Sequence, residues 1–429
     1  MAARQKVFLY TGLILVNSVI LTQIGGNFNS WGTLSPYIYS YFHSIDPSSD
    51  PSSLLWVAIF AFIAENLSFL LVCHLSLIYP PIYFIFSGIL ISTPMVYFSS
   101  YLQSSFIFCI VFGSAMGFLG TTTNLPSVWI AWNVIPKNRA TSAGIALCAY
   151  SMAPVIYGSL FTILANPFEL QAVSDPSSGN SYFPQEIINR VPFTIRVFAL
   201  IMLGCGLISC LLLHTCNLKM KIEKNESSMT TLEMLNKKQT WFLIAMNYFV
   251  CLNGFYVINS YKDIAMSYFH DDYYLASVGA ACFIIGSCGR LIFGRLLDSY
   301  EWKNVMYFAL GLQLISMFFL HWSFLLGKLI FSICLICSMF GIMGMFIGML
   351  MICEKVFPKD RWVFSYISLS MIFDIFSVYI IRRYLTPSIG ELWSNMIIVI
   401  SLAISLTLVH IHKYSHEDYR ELKELSTTI

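Results

Sequence analysis

The chain is predicted to be an all-α membrane protein, with twelve transmembrane helices arranged as two six-helix bundles. Three observations carry that prediction. Hydrophobic residues make up 57% of the 429 positions and charged residues 11%, against about 25% charged in ordinary soluble domains. Apolar runs near the bilayer-crossing length of about 20 residues recur along the chain. A charged, Ser/Thr-containing connector at 217–238 divides them into six and six. The formal net charge of +2 supplies no basic patch, and the apolar runs leave no room for a nucleic-acid domain.

In order, the spans are expected near 8–41, 53–77, 82–100, 103–133, 140–165, 194–216, 239–262, 274–298, 304–322, 327–353, 362–381 and 392–412. The first is long for one helix, and Gly25 and Gly26, followed by Pro36, predict that it bends or starts in the interface. The turn at 101–103 between the third and fourth spans is very short. Residues 1–216 then form an N-terminal bundle, 217–238 an inside connector, 239–412 a C-terminal bundle and 413–429 a polar inside tail. In each half the fourth span carries closely spaced glycines: Gly113, Gly117 and Gly120, then Gly341, Gly344 and Gly348. Small residues at that spacing let helices approach, and their matching place predicts an internal repeat.

Positive charge orients the set. With both termini inside, the inner segments hold seventeen Lys and Arg residues, and the outer ends six, as the positive-inside rule requires. The outer loops collect Asp46, Asp50, Asp263, Asp271 and Asp272 near Lys262, a pattern read first as a solvated mouth. All twelve cysteines lie in or beside apolar runs, which argues against a disulfide framework. No cleavable signal peptide is expected, because the first apolar run is long and lacks a small-residue cleavage site. The chain is assigned to a multi-pass membrane location, plasma membrane or mitochondrial inner membrane.

Arg290 carries the most chemistry. It stands eight positions before Asp298, about 12 Å inside the end of its helix. A guanidinium keeps its proton there and must face a cavity, a partner or a ligand. Its planar fork can hold a carboxylate by two parallel hydrogen bonds. The alternative role is a fixed ion pair that staples two helices.

Twelve spans in two halves, together with Gly294-Arg295-Leu296-Leu297-Asp298 after the eighth, resemble the major facilitator superfamily and its loop motif. Within it the chain is similar to the oxalate:formate antiporter and monocarboxylate transporter branch. Ser30-Trp31 with Ser35-Pro36-Tyr37 resembles the first helix of that branch. The run from Ile135 to Gly144 resembles its signature between the fourth and fifth spans. Gly289-Arg290 resembles its carboxylate-binding arginine. The resemblance implies the major facilitator fold and alternating access by a secondary transporter of a small organic anion, a monocarboxylate, lying in a lipid bilayer. It implies no cofactor, metal or catalytic residue.

The same comparison assigns further positions. Tyr150 falls where the antiporter has a substrate-facing tyrosine, although ordinary packing also explains a tyrosine there. Asn124 and Trp31 fall at cavity-facing positions, with Asn124 standing where the antiporter has tyrosine. Asp374 lies within one residue of an antiporter lysine, so the charge is reversed. A carboxylate at that depth either pairs with a cation or stays protonated, and Arg290 is a possible partner. Glu65 is the acid deep in the first half, for proton coupling or for a bond to a neighbouring hydroxyl. Gly289, Gly294, Arg295 and Asp298 form the gating loop motif. Two departures stand out: Gly286 where the monocarboxylate branch has an aspartate, and Tyr37 where it has a lysine.

From Asn66 to Pro136 the chain has no Asp, Glu, Lys or Arg, and only His74 can charge. The loop between the second and third spans therefore lacks the acid–base motif that family members carry. That absence supports a second class of function, a transporter-derived structural subunit held with other membrane subunits, for example in a mitochondrial respiratory assembly. An enzyme is not expected: there is no His/Glu/His metal set, no Gly-x-Ser-x-Gly elbow and no aspartate pair at catalytic spacing.

Overall fold

The computed structural model describes residues 2–47, 54–76, 78–170, 172–174, 181–215, 229–269, 271–358, 360 and 362–412. Most of the expected connector, the polar tail and Asp50 lie outside them, as do the side chains of Asp263 and Asp272. Within lipid, backbone polar groups must be satisfied inside each segment, and the described chain is almost entirely helical.

The first span is α1 (Ala2–Gly25), a 3-10 turn (Gly26–Ser30) and α2 (Trp31–Ile45). The bend falls at the glycine pair that predicted it. Those glycines are also thin for a reason. A Cβ on Gly25 would lie 2.9 Å from Asn124 Oδ1, and one on Gly26 would lie 2.8 Å from Ala153 Cβ. The span therefore threads between two neighbours without room for a methyl group.

The first bundle continues with α3 (Trp56–Leu75), α4 (Pro81–Ser99), α5 (Ser105–Val134) and α6 (Arg139–Ala165). Pro81 opens α4, where a missing N–H leaves nothing unsatisfied. Ser104 caps α5 by accepting the Ile107 N–H at 3.5 Å, so the short turn does divide two helices. The outer polar loop folds into a hairpin, β1 (Val173–Ser174) against β2 (Ser181–Tyr182), then α7 (Gln185–Ile188). Tyr182 docks it on α2 by stacking on His43 at 4.0 Å. The bundle ends with α8 (Val191–Thr215).

The second bundle is entered through α9 (Thr231–Asn236), held by a capping box between Thr230 and Glu233. It comprises α10 (Lys238–Phe269), α11 (Asp272–Ser299), α12 (Trp302–Leu326), α13 (Lys328–Val356), α14 (Val363–Ser368), α15 (Ser370–Ile380), a π turn (Ile381–Leu385) and α16 (Thr386–Ile411). Gly327 at φ 105° breaks α12 from α13. Gly390 at φ 85° divides the last helical run into its two spans, a conformation that costs other residues a Cβ clash. Ten described runs are long and apolar enough to cross a bilayer. The first span adds another, and the run Val363–Ile411 counts as two, giving the expected twelve.

Both glycine ladders are close-packed, but on different partners. Gly113 and Gly117 press on the α3 backbone, while Gly341, Gly344 and Gly348 receive Gln313, Phe293 and Met306 from α12 and α11. The bundles meet at their inner ends. Buried residues at the inner ends of α3, α5 and α6, such as Phe69, Trp132 and Ala143, share one continuous core with the second bundle. The outer part of the first bundle has a separate core. Two seams close the inner side. Along one, α6 lies backbone to backbone on α11: a Cβ on Gly144 would sit 2.6 Å from the Arg290 carbonyl, and one on Gly294 would sit 2.6 Å from the Ala140 carbonyl. Along the other, His74 packs against Trp362 at 5.4 Å and Tyr366 at 5.8 Å, and Phe69 against Phe364 at 5.7 Å.

Candidate functional site

Five residues singled out in the sequence fall in one layer. Arg290 stands nine residues before the inner end of α11, and Glu65 and Asn124 ten before the inner ends of α3 and α5. Tyr150 and Asp374 stand eleven residues after the inner starts of α6 and α14. At about 1.5 Å per residue, all five lie roughly 13–17 Å from the inner ends of their helices.

Arg290 is 7% exposed. Its Nη1 donates to the Leu147 carbonyl at 3.1 Å, and its guanidinium carbon sits 5.2 Å from the centre of the Tyr150 ring. Such stacking contributes roughly 0.5–2 kcal/mol depending on desolvation. Its Nε is buried and has no hydrogen-bond partner, and among the described residues no carboxylate forms an ion pair with it. The fork is oriented by α6 and keeps donors unspent.

Tyr150 is within electrostatic reach of both Arg290 and Glu65, and Asn29 on the 3-10 turn lies near its phenol. Glu65 lies on the other side of the glycine pair. A Cβ on Gly120 would stand 3.7 Å from Glu65 Oε1 and 3.4 Å from the Gly25 carbonyl. Asn124, one turn further along α5, adjoins Gly25, and its Oδ1 has no partner. Arg290, Tyr150, Glu65 and Asn124 are thus brought together around the bend of the first span. Trp31 is not: it packs on Phe112 at 5.8 Å inside the first bundle.

Asp374 shares the layer but not the cluster. It is fully buried, and neither carboxyl oxygen has a hydrogen-bond partner. The pairing with Arg290 that the sequence allowed is not formed in this structure. Polar contacts flank Asp374 one turn away on either side: Asn247 Nδ2 donates to Ser370 Oγ at 2.8 Å, and Tyr248 meets Ser377 at 2.8 Å. Cys251 lies beside the carboxyl.

Of the four loop-motif residues, Gly294 and Asp298 contact the first bundle. Asn138 makes no side-chain cap on α6, so the first N–H groups of that helix need an outside acceptor. Asp298 supplies it from the other bundle, accepting from Ala140 N at 3.1 Å and Thr141 N at 2.7 Å. A carboxylate at a helix N-terminus also meets the positive end of its dipole. Arg139 of α6 forms an ion pair with Glu354 of α13 beside it. Gly294 is the close contact described above, Gly289 faces Phe340, and Arg295 is exposed.

Sequence reasoning missed Glu354, whose partner is more than two hundred residues away, and an aromatic roof. Phe62 of α3 meets Phe28 at 5.4 Å and Phe255 of the second bundle at 4.7 Å. Phe62 stands one turn outward of Glu65, so this contact covers the cluster from the outer side.

The profile of the Major Facilitator Superfamily matches residues 16–380. No curated protein matches the chain in sequence. Among solved structures it is similar to the proton:xylose symporter XylE bound to 6-bromo-6-deoxy-D-glucose, with TM-score 0.73 and 11% identity, over 94% of this chain and 96% of that one. It is similar to a variant of the Escherichia coli fucose:proton symporter FucP, with TM-score 0.67 and 11% identity, over 95% and 100%. A bacterial homologue of the iron transporter ferroportin, in an outward-facing state with soaked iron, gives TM-score 0.60 and 13% identity over 93% and 98%. The match spans most of both bundles, and the chain belongs to the Major Facilitator Superfamily, whose members are membrane transporters rather than enzymes.

Proposed function

We propose that the chain is a secondary transporter of a small organic anion, a monocarboxylate, working by alternating access. The observation that carries this reading is the buried fork of Arg290, held by the Leu147 carbonyl and the Tyr150 face while its Nε remains unpartnered. A buried cation with spare donors is costly unless something completes it. A carboxylate arriving between the bundles does so with charge-assisted bonds. Tyr150 walls the site and Asn124 offers it an amide. Trp31 contributes to the first bundle behind them.

The two bundles, residues 1–216 and 239–412, rock about this layer, and the 217–238 connector tethers them. Coupling falls to Asp374, an acid at the same depth with no cation to neutralise it. Glu65 is the second acid of the layer. The Asp298 and Arg139–Glu354 contacts hold the inner side closed, and opening it exposes the layer to that side.

Purified protein in liposomes is expected to accumulate labelled lactate, pyruvate or formate. Arg290→Gln is expected to abolish uptake, and Arg290→Lys to lower it strongly, because a point charge cannot replace the bidentate fork. Uptake that Arg290→Gln leaves unchanged removes the site assignment.

A further inference from the structure

We infer that the carboxylate held at Arg290 belongs to an amino acid, whose ammonium group is received by Glu65. The inference rests on the Arg290 reading and adds the second end of the substrate.

The layer has two chemically different ends, with Tyr150 between them. The Arg290 end presents the unspent donors of a guanidinium. The Glu65 end presents acceptors: the Glu65 carboxyl, the unpartnered Oδ1 of Asn124, and the Gly25 carbonyl next to both. Glu65 lies deep within its helix and keeps some accessible surface. Among the described residues it joins no ion pair. Its backbone carbonyl is held by Thr121 Oγ1 at 2.7 Å, which anchors this stretch of α3 on α5.

An ammonium group carries three donors and no acceptor. It fits an acceptor-lined end and is poorly served elsewhere in the layer. A simple carboxylate completes Arg290 but serves the Glu65 end less well: lactate brings one hydroxyl donor and no charge, and pyruvate brings a carbonyl oxygen with no donor. A zwitterion completes both ends and leaves neither buried group unpaired. Asp374 lies outside this cluster and stays available as the proton site.

The test compares alanine, lactate and pyruvate, which share their size and carboxylate and differ only in the α-substituent. Phenylalanine and phenyllactate form a second pair. Uptake is measured in liposomes with wild-type protein, Glu65→Gln, Glu65→Asp and Arg290→Gln, each first shown to be monodisperse after purification. The expected result is uptake of the amino acids in preference to their oxygen analogues. Glu65→Gln should lower amino-acid uptake by roughly a hundredfold, since the bound ammonium loses its partner, and should erase the preference for amino acids over their oxygen analogues. Glu65→Asp should restore part of it, and Arg290→Gln should abolish all of it. Arg290-dependent uptake of lactate and pyruvate, with amino acids neither carried nor competing, overturns the inference and leaves the Arg290 assignment standing. Amino-acid uptake that Glu65→Gln does not reduce also overturns it. Uptake of either class that ignores Arg290→Gln overturns both.

Discussion

The Asp298 carboxylate accepts the backbone N–H of Thr141 at 2.7 Å, so a side chain of the second bundle caps a helix of the first. An N-cap removed by alanine costs about 1 kcal/mol, and here the cap exists only while the inner side is closed. Asp298→Ala is therefore expected to shift the population toward the inner-open state by roughly fivefold. Pulsed EPR between labels at Lys137 and Ser299, both exposed at the inner face, reads this as a longer distance component. An unchanged distribution means that the cap does not hold the gate.

Arg139 and Glu354 form the neighbouring contact, with side-chain exposures of 39% and 10%. Pairs as accessible as this contribute only about 0.2–1 kcal/mol and weaken with salt. Glu354 is the more enclosed partner, and its second oxygen has no other bond. Arg139→Ala should therefore be more harmful than the double variant Arg139→Ala/Glu354→Gln. A double-mutant cycle on thermal stability measures this, and additive effects would show that the pair is not coupled.

Gly144 leaves α6 thin where it crosses the Arg290 carbonyl. Gly144→Val is expected to cost about 1–3 kcal/mol by overpacking and to displace Arg290. Gly204, which has nothing within 4 Å of its ideal Cβ, provides the control in Gly204→Ala. Melting temperatures of the two variants should separate clearly.

Asp374 is buried without a partner, so Asp374→Asn should fold at least as stably as the natural chain. Uptake in Asp374→Asn should no longer respond to an imposed proton gradient, while exchange of substrate for substrate continues. Gradient-driven uptake persisting in this variant would move coupling to another residue.

At the outer mouth, Asp271 caps α11 by accepting the Tyr274 N–H at 3.0 Å and pairs with Lys328. The hydrogen bond from the Lys328 ammonium, and then the Tyr274 N–H, hold its carboxyl below the ordinary value of 3.8. A depressed acid contributes stability above its unfolded value, and that contribution is lost as pH falls through the lower folded value. Asp271→Asn should thus differ from the natural chain above pH 3.8 and converge with it in stronger acid. Carboxyl titration by NMR of carbon-13-labelled aspartate in detergent checks the sign.

The spans were legible because lipid permits few solutions: a run of apolar residues either crosses or does not. The bend at Gly25 and Gly26 was legible because paired glycines weaken a helix locally. Arg290 and Tyr150 were legible as individuals, one from its depth and the other from its offset within a motif. Their stacking was not, since it depends on how Gly144 and Gly294 let α6 and α11 meet. The Asp298 cap had a faint signal in Asn138, a residue well suited to capping that instead leaves α6 uncapped. Glu354 had none, because nothing in local spacing ties it to Arg139. Asp374 was visible as an anomaly, but its separation from Arg290 follows from α15 packing on α10.

His74 stands one residue before the end of α3, and Asp298 one residue before the end of α11. The same ordinal therefore holds an imidazole among aromatic rings on one side and a carboxylate on backbone N–H groups on the other. Directional bonds fix a register, whereas ring contacts tolerate sliding. The α6–α11 edge behaves as a latch that is either engaged or released. The α3–α14 edge behaves as a greased pivot. If the bundles part, this difference favours a swing about the α3–α14 edge, with the α6–α11 edge separating first.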